Sequence, residues 1–118
     1  MERNWDTIRE LLLRVDACPK DSVVIAADFP AERSAELLLH VELLIEAKLI
    51  DADVIRSLAP SASQFQILRL TWEGSELLDT IRNDSVWSQT KLFFLNQKLG
   101  MTYAGVLSVA NQLNATLM

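Results

Sequence analysis

The chain has very few of the residue types that carry out chemistry. Among its 118 residues there is one histidine, His40, and one cysteine, Cys18. A Ser-His-Asp or Cys-His catalytic set, or a zinc site of the usual ligand spacing, cannot be assembled from that inventory in one chain. One cysteine cannot close an internal disulfide, which fits a reduced intracellular protein. A glycine-rich phosphate loop is also missing, because "GMTYAG" lacks both the lysine and the preceding strand. No apolar run approaches the roughly 20 residues that a membrane span needs. The start "MERNWDTIRE" is charged where a secretory signal would be apolar. Together these absences predict a cytoplasmic protein that is not an enzyme, has no catalytic residues, metal or cofactor, and does not meet a membrane.

Positive charge is scarce as well. Eleven Lys and Arg face sixteen Asp and Glu, for a net charge of -5. That balance is a poor match to a nucleic-acid backbone. No aromatic platform for stacking RNA bases is visible.

What the chain does have is apolar content. It is 50% hydrophobic, enough for one domain-sized core without cross-links. Trp5, Ile8, Leu12 and Val15 recur at helical spacing behind Asn4, a good N-cap, and predict a helix over 5–17. Pro19 ends it. A short extended piece over Val23, Val24 and Ile25 follows. Asp28 and Pro30 then introduce a long helix, "SAELLLHVELLIEAKL". Leu37, Val41, Leu44 and Ile45 fall on one side of that helix. Glu32, Glu36, His40 and Glu46 fall on the other, together with Leu39 and Leu43. Residues 49–71 read as a β-hairpin whose loop is "APSASQ". Asp51 and Asp53 share one strand face, where they solubilise an edge. Thr71 caps a helix with Gly74, Leu77, Leu78 and Ile81 inward. Gly74 suits a helix backbone lying close to its neighbour. A nearly all-round apolar helix over 85–99 stops at Gly100, and Thr102 caps a last one.

Helix, helix, hairpin, helix is the order of a winged-helix domain. The phrases "ELLIEAKLIDADV" and "LRLTWEGSELLDTIR" look like the segment that closes many such domains. Over most of its length the chain is similar to the YjcQ-like family of unknown function, found in bacteria, phages and prophages. "RNWDTIRELLLRV", "HVELLIEAKLI", "LTWEGSELLDTIRNDSVWSQTK" and "LGMTYAGVLSVANQL" carry that resemblance in order. Leu70, Thr71, Gly74, Leu78, Asp79, Arg82 and Trp87 stand in register, while Lys48 replaces the glycine usual there. The resemblance implies an α+β, mostly helical fold. A winged-helix core over 1–83 would carry a C-terminal helical extension over 84–118. It implies no activity.

Charge decides how such a core would be used. Residues 31–48 carry Glu32, Glu36, Glu42 and Glu46 against Arg33 and Lys48, a net of -2. The hairpin balances Asp51 and Asp53 against Arg56 and Arg69. A recognition helix of that sign loses the electrostatic term that dominates DNA affinity. The leading expectation is therefore a non-enzymatic, mobile-element-type interaction module binding a protein partner, one of basic character. The face would be Glu32, Glu36, Leu39, His40, Leu43 and Glu46. An inhibitor of nucleic-acid-handling or host-defence machinery is one example. The alternative is a winged-helix DNA-binding transcription regulator. Leu39 and Leu43 either serve that face or are covered by the C-terminal helices. Glu36 and His40, one turn apart, are two ligands short of a metal site and are expected to hydrogen-bond. Phe93, Phe94, Tyr103, Val106, Leu107, Ala110, Leu113 and Leu117 either pack over the core or form a homodimer interface.

Overall fold

The computed structural model describes residues 2–58 and 64–117. Most of the hairpin loop "APSASQ", residues 59–63, lies outside them. The fold is α+β and mostly helical. Its elements are α1 (Trp5–Ala17), β1 (Val24–Ile25), α2 (Ser34–Glu46), β2 (Ile50–Ile55), β3 (Gln64–Leu70), α3 (Trp72–Ile81), α4 (Asp84–Gln97) and α5 (Tyr103–Leu117). Two 3-10 turns, Ala26–Asp28 and Ala31–Arg33, lie between β1 and α2. The chain divides into two compact units, Met1–Ser75 and Glu76–Met118.

In the first unit, Asn4 caps α1 by accepting the backbone N–H groups of Asp6 and Thr7. Trp5, Ile8, Leu11, Leu12 and Val15 form its buried stripe. Cys18 ends it in an extended conformation, as the residue before a proline should. The long helix begins later than its sequence suggests. Pro30 starts a 3-10 turn rather than α2, and Asp28 turns its carboxylate back onto the Ile25 N–H at 2.9 Å.

The three strands lie side by side in the order β1-β3-β2, all antiparallel. The register pairs Ile50 with Leu70 and Ile55 with Gln64, broken between Asp51 and Ala52. There Asp51 faces Arg69 while Ala52 faces Ile67, which leaves Leu68 as the extra residue of a β-bulge. The bulge resets the alternation. Phe65 and Ile67 point inward, Leu68 and Arg69 both point out, and Leu70 is half-buried. Phe29 stands against Phe65 with ring centroids 6.3 Å apart.

The base of the hairpin is closed by close backbone packing. The Thr71 N–H donates to the Leu49 carbonyl at 3.0 Å, and the Thr71 hydroxyl donates to the Lys48 carbonyl at 2.7 Å. The same hydroxyl accepts the Gly74 N–H at 3.1 Å, which caps α3. A Cβ on Gly74 would stand 1.9 Å from the Leu49 carbonyl oxygen. The backbone at Gly74 is ordinary; it is the space that requires glycine.

Both α2 and α4 end in a Schellman turn with a lysine at the left-handed position. Lys48 has φ 62 and Lys98 has φ 56. The Leu49 N–H returns to the Leu44 carbonyl at 2.9 Å, and the Leu99 N–H to the Phe94 carbonyl at 3.0 Å. The stop for α4 is therefore Lys98, two residues before the expected Gly100. Backbone hydrogen bonds fix the turn, and the side chain tolerates it at a cost.

In the second unit, Asn83 caps α4 through the Ser85 and Val86 N–H groups. Thr102 caps α5 through the Gly105 N–H at 3.1 Å. α4 and α5 pack together, and Asn114 donates to the Thr80 carbonyl of α3 at 2.8 Å. No helix among the described residues is long and apolar enough to cross a membrane.

Two substitutions test the backbone geometry. Gly74→Ala should cost about 3 kcal/mol, because the clash is with backbone and no rotamer relieves it. Lys48→Gly should gain about 0.5–1 kcal/mol by removing the left-handed penalty. Urea denaturation followed by circular dichroism measures both.

Candidate functional site

The outward arc of α2 begins with charge that the chain spends on itself. Arg33, just ahead of the helix, donates to both Glu10 carboxylate oxygens at 2.8 Å. It also reaches Glu36 at 3.2 Å. Glu36 in turn accepts the Thr7 hydroxyl at 2.9 Å. Hydrogen bonding to Arg33 holds both Glu10 and Glu36 below the ordinary carboxylate value, and the two carboxylates push the Arg33 guanidinium further up.

The six residues expected to form one face separate into different environments. Glu32 is exposed in the 3-10 turn, and Glu46 is exposed at the end of α2. Glu36, Leu39 and Leu43 are half-buried. His40 is fully buried, at 0% exposure. Its Nε2 accepts the Asn4 N–H at 2.8 Å, so its Nδ1 is the ring nitrogen that donates, to the Glu36 carbonyl at 2.7 Å. His40 thus shares the buried side of α2 with Leu37, Leu38, Val41 and Leu44. Helical periodicity alone places it among polar neighbours. Burial is acceptable because both ring nitrogens are satisfied.

The hairpin supplies side chains that periodicity did not single out. Arg56 bonds to Glu42, which sets the end of β2 beside α2. Ile55 is 70% exposed and Leu58 is fully exposed. The exposed apolar side chains of the hairpin are thus Ile55 and Leu58, separate from the half-buried Leu39 and Leu43 of α2. The available signal was Ile55 itself, an apolar residue at the outward position that Asp51 and Asp53 hold earlier in the strand. On the outer sheet face Arg69 pairs with Asp51 at 2.6 Å. Arg33, Arg56 and Arg69 are all in ion pairs, leaving Lys48 as the one base of α2 and the hairpin outside such a pair among the described residues.

The residues weighed as a dimer interface also divide. Phe94, Val106 and Ala110 are buried, with Gly105 close enough to Phe94 that a Cβ would stand 3.0 Å from the ring. Phe93 and Tyr103 are exposed, while Leu107 and Leu113 are half-buried. The Leu117 side chain lies outside what the structure describes. Cys18 is half-buried and unbridged. No group of three or more His, Cys, Asp or Glu able to hold a metal ion occurs among the described residues.

Comparison with known proteins finds a family described as a hypothetical protein, DUF2513, matching residues 2–100. A Haemophilus influenzae protein described as uncharacterized is 33% identical over 119 residues, covering 100% of this chain and 99% of its own length. No solved structure matches. The family of unknown function is therefore DUF2513, and the narrower likeness to YjcQ-like proteins rests on the quoted phrases alone.

The Arg33 cluster has a pH signature. A carboxyl whose folded value is lowered adds stability above the ordinary carboxylate range and loses it as pH falls through the lowered value. Arg33→Gln should therefore lower the urea midpoint at about pH 7, and the gap to wild type should narrow as pH falls below the ordinary carboxylate range.

Proposed function

The chain belongs to the DUF2513 family of hypothetical proteins, whose description names no activity to carry over, and we propose that it is a non-enzymatic interaction module of winged-helix type that binds a protein partner. Support for the winged-helix reading comes from element order. A two-residue β1 follows α1, α2 runs directly into the β2–β3 hairpin, and the strands lie in the order β1-β3-β2. Two 3-10 turns stand where a second helix would.

The observation that carries the protein-partner reading is the closure of the arginines. Arg33 stands just ahead of α2 and Arg56 and Arg69 on the hairpin, and each already faces a carboxylate of its own chain. A phosphate would have to compete with those carboxylates, a cost of about 1 kcal/mol or less at the exposed Arg56 and Arg69, which reduces the gain from counterion release. Ile55 and Leu58, exposed at and just past the end of β2, suit a partner with an apolar anchor, and the net -5 of residues 1–75 suits one of basic character. Leu39 and Leu43 are half-buried, so Ile55 and Leu58 supply most of the accessible apolar area.

Ile55→Asp and Leu58→Asp change exposed side chains and should leave the melting temperature within about 2 °C of wild type. Each should release a partner that wild type retains from its native host at physiological salt. Tight, salt-steep, sequence-selective retention of duplex DNA in a gel shift would instead make the chain a transcription regulator.

A further inference from the structure

The one histidine of the chain is committed to a backbone group. His40 is fully buried on α2, yet the group it holds belongs to the start of α1. Its Nε2 accepts the Asn4 N–H at 2.8 Å, while its Nδ1 donates to the Glu36 carbonyl at 2.7 Å. Asn4 is the N-cap of α1, and its own side chain holds the Asp6 and Thr7 N–H groups. Trp5, the next residue, is buried. The imidazole therefore fixes the residue from which α1 starts and, through it, the seat of Trp5.

Only a neutral ring can serve there. An imidazolium carries a donor on both nitrogens and has no acceptor. With Nδ1 already donating, a proton on Nε2 would face the Asn4 N–H, donor against donor, and deprive it of its acceptor. The charges beside the ring attract such a proton. Glu36 lies one turn earlier on α2, and it is bonded together with Glu10 of α1 and Arg33, two carboxylates to one guanidinium. At the start of α1, Asp6 lies in the first turn and Arg3 stands over the Trp5 ring. Arg9, Arg14 and Asp16 lie more than one turn further along α1 than Asn4. The remaining charges on α2, and on the turns and strands packed against it, are turned elsewhere or exposed. Asp28 bonds to the Ile25 N–H, Asp51 to Arg69 on the outer sheet face, and Glu42 to Arg56. Glu32, Glu46, Lys48 and Asp53 are exposed.

We propose that His40 is an acid-released latch on the first turn of α1. In the closed form a neutral imidazole holds Asn4. In the open form Nε2 has taken a proton from solvent, the Asn4 N–H has turned to water, and Trp5 is free to leave its seat. The closed form binds one proton fewer than the open form, so acid favours opening. Histidine in water titrates at about pH 6.5. One linked proton of that kind lowers the closed-to-open ratio about tenfold between about pH 7.5 and about pH 5.5. This range lies above the carboxylate range in which the Arg33 cluster responds, so the two pH effects are separable. The latch does not depend on the partner proposed for the hairpin.

Amide hydrogen exchange of the full chain, corrected for the intrinsic effect of pH on exchange, tests the latch. Protection of the Asn4 amide should fall about tenfold from about pH 7.5 to about pH 5.5. It should stay below that of Val41, a buried residue within α2, so that the turn opens by itself. Nitrogen NMR should show Nε2 gaining its proton over the same range in which the Asn4 amide resonance moves. His40→Gln keeps an amide oxygen to accept the Asn4 N–H and an amide N–H to donate, and it should remove the pH dependence. Should that variant fail to fold, the nitrogen titration of wild type decides alone. An Nε2 that stays unprotonated down to about pH 5.5 overturns the proposal. So does Asn4 protection that is equal at both pH values or equal to that of Val41. A folded His40→Gln chain with the pH dependence of wild type overturns it as well.

Discussion

The carbonyl of Leu49 is the point on which the first unit is built. It accepts the Thr71 N–H and lies where the Cβ of any residue but glycine at position 74 would be. Leu49 leads into β2 and Thr71 leaves β3, so one bond closes the hairpin at its base. The Thr71 hydroxyl, held by the Lys48 carbonyl, then caps α3. The end of α2, the hairpin register and the start of α3 are therefore fixed together. The left-handed turn at Lys48 belongs to the same joint, because it lies between the end of α2 and Leu49. A non-glycine residue tolerates strain there because the surrounding hydrogen bonds over-determine the backbone.

A second set of polar contacts ties α1 to α2. His40 receives the Asn4 N–H that precedes α1, and Glu36 receives the Thr7 hydroxyl. Arg33 bridges Glu10 on α1 and Glu36 on α2. Such a network satisfies its members internally, which is why polar residues can stand on or near the buried side of a helix. Arg56 with Glu42 and Arg69 with Asp51 repeat the pairing of opposite charges on the hairpin, with both arginines largely exposed.

The two units differ in how they meet solvent. The first is densely charged and pairs many of its charges. The second, after Asp84, uses amides and hydroxyls where the first uses ions. Neutral polar groups exclude few partners by repulsion, so apolar shape does more of the selecting.

Local chemistry determined much of the fold. Asn4, Thr71, Asn83 and Thr102 act as caps because a short polar side chain can satisfy the first orphan N–H groups of a helix, and no distant residue is needed. The helical stripes of α1 and α3 and the requirement for glycine at 74 were legible for the same reason. What depended on distant residues was not. The burial of His40 needs Asn4, which is 36 residues away. The outward turn of Leu68 needs a bulge set by β2. The stop at Lys98 comes from returning backbone bonds rather than from a glycine. Ile55 and Leu58 stay exposed although both are apolar. The sequence by itself determined which segments are helices and strands and how every helix but α2 starts. Only the tertiary structure decided which polar side chains are consumed inside and which apolar ones remain outside, because that choice is made by partners that are close only after the chain has folded.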